Sequence, residues 1–350
     1  MAFYQWVMTK RPTIADVART AGVSVATVDR VLNGRLPVRE ETARRVYDAA
    51  QATGFHAAGL IRQRLLRDLP QYRLGFILRK QNHHFYQEFA REAEAAVNTA
   101  QTFRGVPLVH FAQSHVPGEI TTALKEIASR CQAIAMVAPD HPTITAEVEA
   151  LKTRGIPVFS VLSDFAAGIR QGYIGLHNHK IGRTAGWMIA RAAKKPGKVA
   201  VFVGSHRFHG HELRETGFRS YFRENAPNFE MLDTLVNLET RQITYEATLD
   251  LMQRHPDLAG FYVAGGGMEG AIEALREEAR GKDIIAIVNE ITPESRSALA
   301  DGVVMMAIAT PLRRLCGTLV ALMAQAIEAG PAEMPGQIFL PADIYLPENI

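Results

Sequence analysis

The sequence predicts two architectures in one chain: a small all-α unit at the N-terminus, then an α/β body of parallel sheets covered by helices on both faces. Three observations carry this reading. Residues 13–54 read as short helices with caps and i, i+3, i+4 apolar spacing. From Tyr72 onward, short β-branched runs alternate with longer amphipathic stretches. The charge divides at the same place: residues 1–70 hold eleven Lys and Arg against six Asp and Glu, whereas the remaining 280 hold 28 against 30.

In the first unit, Thr13 and Asp16 form a capping signal, a hydroxyl followed three residues later by an acid. Val17, Ala18 and Ala21 share one face of the helix that follows, and Gly22 can take the left-handed conformation that ends it. Ser24 caps a second helix, whose stripe is Val28, Val31 and Leu32 and whose stop is Asn33-Gly34. A third helix over 40–52 packs through Ala43, Val46, Ala49 and Ala50, with Gly54 closing it. Residues 57–70, rich in Arg and Leu and ending at Pro70, read as a hinge or linker.

Strands are expected in the body at 74–78, 106–111, 133–137, 158–162, 198–203, 231–236, 260–264, 284–288 and 303–309. Helical stretches fill the gaps, for example 86–100, 182–193 and 312–329. The motif spacing restarts near Asn178, so two lobes are expected in place of one large sheet. The domain reading is a tail (1–10), a helix-turn-helix unit (11–56), a hinge (57–70) and a body (71–350). Within the body the lobes are expected at 71–177 plus 306–333 and at 178–305 plus 334–350.

Composition sets the class. A chain of 350 residues, 47% apolar and 21% charged, has enough to bury for two or three domains. Cys131 and Cys316 are too few for a four-thiolate site or a disulfide framework, and they fit a reducing cytoplasm. The opening MAFYQWVMTKRP lacks an apolar core of signal-peptide length, and no run reaches membrane-spanning length. The expectation is a cytoplasmic protein with no membrane partner. Ten of the eleven basic residues in 1–70 are arginine, the side chain suited to forked recognition of phosphate and guanine.

Two short helices joined by Ala21-Gly22-Val23-Ser24 make a helix-turn-helix pattern. The outward positions of its second helix are Val25, Ala26, Thr27, Asp29, Arg30 and Asn33. Small residues admit the backbone to a major groove, and Arg30 can fork onto guanine O6 and N7. A helical pair in any small bundle carries the same spacing, but not the same charge and turn chemistry.

The run Thr13-Ile14-Ala15-Asp16-Val17-Ala18, then Ala21-Gly22-Val23-Ser24, Ala26-Thr27-Val28, Arg30-Val31-Leu32-Asn33, Thr42 and Val46, resembles the DNA-binding headpiece of the LacI/GalR transcriptional regulators. Ile156-Pro157-Val158, Gly182-Arg183-Thr184-Ala185-Gly186, Gly204-Ser205 and Arg214-Glu215-Thr216-Gly217-Phe218 resemble landmarks of the same family's body, which is periplasmic-binding-protein-like. The resemblance runs from about Arg11 to the C-terminus. It implies DNA contact by Thr13, Ser24, Val25, Ala26, Thr27, Asp29, Arg30 and Asn33, and a minor-groove contact from the hinge. Two departures stand out. Asp29 replaces the family's usual serine, and next to phosphate it must accept from cytosine or orient Arg30. Arg64 takes the place of the family's wedging leucine and Leu65 lies one residue later, so either Leu65 wedges in a shifted register or Arg64 reads a narrow minor groove.

In the body, Asn82, His84 and Phe85 follow the first strand, Asp164 ends the fourth and Glu290 ends the eighth. Ligands of parallel α/β sheets meet the carboxyl ends of strands, and the resemblance implies an Asn and stacking aromatics at Asn82 and Phe85, an acidic ligand contact at Glu290 and an arginine at Arg214; with His84, Asp164, His209 and Glu212 these are the candidate effector contacts. Helix capping is the ordinary alternative for each polar residue among them. Leu162, Ala264 and Ala309 fall where sugar-binding relatives carry polar residues, which makes the site sparse and admits a modified sugar, a polyol or another small polar metabolite. His206, His209 and His211 have spacing that three imidazoles on zinc would use, but nothing else supports a metal, and contact between an effector and His209 or His211 is the stronger reading. Gly265-Gly266-Gly267 lacks dinucleotide spacing, and no P-loop, G-x-S-x-G or H-E-x-x-H occurs.

The reading is a homodimeric, cofactor-free, non-enzymatic repressor that binds a near-palindromic double-stranded DNA operator under control of a small effector, a sugar or sugar derivative. The alternatives are a sugar-binding protein for uptake, and an α/β enzyme with a fused DNA-binding domain.

Overall fold

The computed structural model describes residues 11–34, 38–65, 69–114, 116–278 and 281–350, without the side chains of 40, 62–65 and 282. The expected tail over 1–10 and the side chains of Arg64 and Leu65 therefore lie outside the described residues. Two compact units are present, the first running to Gln71 and taking in 100–105, the second holding the rest.

In the first unit, α1 is Ile14–Ala21, α2 Val25–Asn33, α3 Glu40–Ala52 and α4 Ala58–Leu65. The expected capping box at Thr13 and Asp16 forms, Gly22 ends α1 at φ 64°, and Ser24 caps α2. Val17, Val28, Val46 and Ile61, one from each helix, are fully buried together. Residues 58–65 of the hinge stretch are thus helical in spite of Gly59.

The body runs β1 Gln71–Arg79, α5 His84–Thr99, β2 Arg104–Ala112, α6 Pro117–Ala128, β3 Ala133–Met136, α7 Pro142–Thr153, β4 Val158–Val161 and β5 Gly172–Leu176. It continues α8 Asn178–Ala192, β6 Lys198–Val203, α9 His209–Asn225, β7 Glu230–Met231, β8 Leu235–Val236, α10 Arg241–Arg254, β9 Leu258–Val263 and α11 Met268–Glu277. It ends with β10 Ile285–Val288, α12 Pro293–Ala300, β11 Met306–Ala309, α13 Leu312–Ala329, β12 Gly336–Leu340 and β13 Asp343–Tyr345. Among the described residues no helix is long and apolar enough to cross a membrane.

The first sheet has the order β12-β5-β4-β3-β1-β2, and the second β13-β11-β10-β9-β6-β7, with β8 also on β6. Pairing is parallel at β1–β3, β3–β4, β4–β5, β5–β12, β6–β9, β9–β10 and β10–β11, and antiparallel at β11–β13. Period-two alternation explains why helices cover both faces. Val199, Val201 and Val203 enter one core with Ile189, Phe218 and Tyr262, while Ala200 and Phe202 enter the other with Phe261, Met268 and Leu275.

The two-lobe expectation holds, but the chain changes lobe elsewhere than expected. Residues 306–309 pair with β10 in the second sheet, and 336–340 pair with β5 in the first. An apolar run does not name its partner strand. The short α12 returns the chain beside β10, as a right-handed crossover does, and only then does α13 pack against α5. β5 escaped the sequence pattern because Gly172 and Gly175 dilute its apolar run, and the stretch 231–236 divides into β7 and β8.

Gly182 on α8 and Gly217 on α9 explain two of the sequence landmarks. A Cβ at Gly182 would collide with the Arg214 carbonyl, and one at Gly217 with the His179 carbonyl. Their absence lets the two helices meet backbone to backbone, which sets Arg214 beside Asn178. Gly217→Ala should therefore lower stability by about 1–3 kcal/mol or more, since the obstacle is rigid backbone. Urea unfolding of the full chain measures this, and a loss under about 0.5 kcal/mol, as for an ordinary surface change, would mean that the helices separate freely.

Candidate functional site

Two surfaces have the chemistry of sites. The first is the outer face of α2. Its entry is rigid: the Arg45 guanidinium donates to the Ala21 carbonyl at 2.7 Å, and the Ser24 hydroxyl accepts from the Thr27 N–H at 3.1 Å while bonding its hydroxyl at 2.9 Å. Val28 and Val31 face inward, while Val25, Ala26, Arg30 and Asn33 are exposed and Thr27 is half-buried. Asp29 accepts from the Asn33 amide at 2.6 Å, so its partner is Asn33 and not Arg30. The pair removes part of the charge that an acid would bring to phosphate. Thr13 is occupied with the α1 cap, accepting from and donating to Asp16.

The second site is the cleft between the lobes. In both sheets the strand order reverses beside the first strand, at β1/β3 and at β6/β9, and ligands bind outside the carboxyl ends of strands at such points. The cleft forms there, lined by Arg79, His83, Phe85, Tyr86 and Leu162 of the first lobe and by Phe208, His211, Arg214, Glu239, Gly265, Gly266, Met268, Glu269, Asn289 and Glu290 of the second.

Three of the expected effector contacts, Phe85, Arg214 and Glu290, lie on this cleft. Arg214 is buried, donating from Nε to Asn178 Oδ1 and from Nη1 to the Ala264 carbonyl, each at 2.7 Å. Glu290 accepts from the backbone N–H and the hydroxyl of Thr310. Burial pushes its carboxyl above the usual range, against the pull of Arg214 and those two bonds.

The other five are not brought to the cleft. Asn82 is exposed in the turn before α5, and His84 is exposed beside a neighbouring groove with Glu88 and Arg313. His209 and Glu212 pair with each other at 3.3 Å on the outer face of α9. Helical periodicity turns His211 and Arg214 inward instead, one position away being the wrong face. Asp164 is saturated inside the first lobe by Arg170 at 2.5 and 2.7 Å, Ser160 at 2.6 Å and Gln337 at 3.0 Å. Its carboxyl is held low by Arg170 and Ser160 in spite of burial.

Sequence reasoning missed Arg79, Lys80 and Glu239. Arg79 donates to Glu239 across the cleft at 2.8 Å with both side chains buried, and its guanidinium stacks 4.3 Å above the Phe208 ring. Lys80 donates to the carbonyls of Leu238 and Glu239 at 2.9 and 2.8 Å. Two consecutive cations after an apolar strand were the available signal for the first pair; Glu239 sits in an irregular loop with none. Burial would raise the Glu239 carboxyl, but Arg79, His211 and Lys80 outweigh it and bring it down to about 2. Burial brings the His211 imidazole down to about 4, outweighing the attraction of Glu239 3.7 Å away, so the ring is neutral at neutral pH. His206, His209 and His211 approach three different carboxylates, Glu215, Glu212 and Glu239. Among the described residues no three His, Cys, Asp or Glu are placed to share a metal ion.

Residues 74–331 match the periplasmic binding protein domain family, and residues 13–57 match the lacI family of bacterial regulatory proteins. The chain is 41% identical over 86 residues to the HTH-type transcriptional regulator RegA of Clostridium saccharobutylicum, 25% of each chain. It is 33% identical over 125 residues to the sucrose operon repressor of Klebsiella pneumoniae, 35% of this chain and 36% of that one. The matched stretches thus span between a quarter and about a third of these relatives. Among solved structures, a glucose-galactose binding protein from Geobacillus stearothermophilus superposes with a TM-score of 0.72 at 18% identity, covering 80% of this chain and 99% of that one. A solute binding protein from Burkholderia graminis in complex with D-arabinose gives 0.74 at 18% identity, covering 81% and 97%. At such identity the likeness carries the fold.

The two depressed pKa values give the acid response a sign. The unfolded chain protonates His211 near the ordinary 6.5 and the folded chain only near 4, so this contribution is full above pH 6.5 and lost as pH falls toward 4. The Glu239 contribution, present above the ordinary 4.5, is lost as pH falls toward 2. The urea midpoint should therefore fall as pH drops from 6.5 to 4, and His211→Gln should flatten that limb. Identical slopes in the two proteins would place the titration elsewhere.

Proposed function

Because the chain belongs to the periplasmic binding protein domain family over 74–331 and to the lacI family of bacterial regulatory proteins over 13–57, we propose that it is a sequence-specific DNA-binding transcriptional repressor whose operator affinity is set by a small polar effector, a sugar or sugar derivative. The observation that carries the reading is the exposed face of α2, presented by a rigid turn and capped at its start, in the same chain as a cleft lined by buried charged groups. A free-standing uptake protein has no use for the first, and a plain DNA-binding module has none for the second.

In this reading α2 enters the major groove, Arg30 reads a guanine, and Val25 and Ala26 allow close approach. Two copies address the two halves of a near-palindromic operator in the cytoplasm. The cleft has a binding role and not a catalytic one: Phe85 lies against the apolar face of the ligand, while Glu290 and Arg214 take its polar groups. Effector and operator then affect each other reciprocally, through whichever lobe arrangement each prefers.

Arg30→Ala should cost about 1–3 kcal/mol at the operator and relax preference at one base pair, with a steep salt dependence in both proteins. Fluorescence anisotropy on a set of single-base operator variants measures this; unchanged affinity and preference would remove Arg30 from the base readers.

Glu290→Gln should abolish the effector response while operator affinity without effector is kept. If the effector is a corepressor, the variant fails to gain operator affinity with ligand; if an inducer, it fails to release. Asp164→Asn should behave oppositely, costing about 3–5 kcal/mol of stability because it strands buried Arg170, yet leaving effector affinity intact. Calorimetry and urea unfolding on both variants separate the roles, and loss of effector binding in Asp164→Asn alone would reverse them.

A further inference from the structure

We propose that Asp29, held in place by Asn33, reads a cytosine of the operator, at or next to the base pair that Arg30 reads. The inference rests on the reading of α2 as the helix that enters the major groove, and it adds the base that the acid on this helix selects.

An acid here is out of keeping with its surroundings. The unit is rich in arginine, and the outward side of a helix in a groove lies near phosphates, which repel a carboxylate. Another acid of the same unit is neutralised: Asp16, in the α1 cap, is ion-paired with Arg19. Asp29 is treated differently. Among the described residues it enters no ion pair, although Arg30 is its neighbour in sequence. Its partner is a neutral donor, the Asn33 amide at 2.6 Å. Four residues make about one helical turn, so Asn33 stands over Asp29 and fixes the direction of its carboxylate. The bond engages Oδ1, and Oδ2 accepts from no group among the described residues. The acid is thus oriented without being neutralised.

The other side chains of the face leave hydrogen-bonded reading to Asp29 and Arg30. Val25 and Ala26 are exposed but have no polar side-chain atoms. The Thr27 hydroxyl is bonded to Ser24 at 2.9 Å. Asp29 and Arg30 are then the first side chains from the start of α2 with polar atoms to spare, and the N-terminal part of a recognition helix is the part that meets base edges.

A carboxylate only accepts hydrogen bonds. In the major groove the base donors are cytosine N4 and adenine N6, whereas guanine and thymine present acceptors. Adenine sets its N7 acceptor beside N6 and repels the second carboxylate oxygen, which leaves cytosine. Neighbouring residues advance about 1.5 Å along a helix, and base pairs advance about 3.4 Å along DNA, so Asp29 and Arg30 act within about one step of each other. The donor fork of Arg30 and the acceptor of Asp29 match the guanine and cytosine edges of G·C pairs. At any other sequence the acid meets an acceptor or a phosphate, so it selects by rejection as well as by attraction.

The test is selection from a random double-stranded DNA library by the full chain at low salt, where DNA binding is strongest. Fluorescence anisotropy on the selected site and its single-base variants follows. The wild type should enrich one cytosine per half-site, within one step of the guanine whose preference Arg30→Ala relaxes. Replacing that C·G pair should weaken wild-type binding about tenfold or more. Asp29→Ser should lose the preference at that position alone and bind random-sequence DNA more tightly. Asp29→Asn should shift it toward adenine, which an amide grips through N6 and N7. Asn33→Ala should keep the cytosine with weaker discrimination, as befits a positioning residue. Circular dichroism checks that each variant is folded. A uniform gain in affinity by Asp29→Ser, with base preferences unchanged, would overturn the inference and leave the regulator reading standing. Wild-type discrimination in folded Asn33→Ala would overturn the role of Asn33. Enrichment of no sequence by the wild type would overturn the inference together with the regulator reading.

Discussion

The buried Arg79–Glu239 pair is the contact on which the cleft depends. One partner ends β1 of the first lobe; the other follows β8 of the second. Two desolvated charges are held together by 2.8 Å geometry, by Lys80 on the adjacent carbonyls and by the Phe208 ring under the guanidinium. Breaking such a pair strands a charge in a low-dielectric interior, which typically costs about 3–5 kcal/mol, so the two lobe edges move together or the charges must reach water.

The loop that delivers Glu239 is itself under constraint. Leu238 and Glu239 both have φ near 53°, a region that side-chain-bearing residues avoid and that costs on the order of 1–3 kcal/mol each. Asn237 fixes the turn from both ends: its amide donates to the Gly266 carbonyl at 2.9 Å, and its oxygen accepts from the Glu239 N–H at 2.9 Å. Leu238 is left 45% exposed by the same geometry that buries Glu239. The backbone arrangement thus serves the ionic contact at the expense of local preference.

This explains what could be read in advance. Caps, helix stripes and strand runs are local, so Thr13, Ser24, Gly22 and the parallel α/β body were legible; Phe85 and Glu290 were reachable from the rule that ligands meet strand ends together with the family resemblance, and Arg214, inside α9, from the resemblance alone. Lobe membership was not, because 303–309 and 336–340 look the same whichever sheet they join. Nor was Glu239, whose partner lies 160 residues away and whose loop has no period. Asp164 misled for a related reason: a carboxylate at a strand end looks alike whether it faces a cleft or Arg170, and only the bidentate contact with Arg170 and the reach of Gln337 from β12 decide it.

The chain crosses between lobes after β5, after β11 and after β12, and the cleft's charged groups grip two of those crossings. Arg214 bonds Asn178, the first residue of α8 beyond the first crossing, and Asn178 in turn donates to the Leu162 carbonyl and the Tyr173 hydroxyl of the first lobe. Glu290 holds Thr310, where the chain leaves β11 for α13. At the third crossing, Gln337 of β12 is tied to Asp164, itself locked to Arg170. A ligand changes a protein's conformation only through interactions that differ between its states. Here the groups that face the cleft are the ones that fix the connecting segments, so any ligand that redirects the Arg214 or Glu290 bonds acts on the crossings directly, with no chain of intermediate side chains to carry the effect. The mechanical link between cleft and lobe arrangement is one hydrogen bond long.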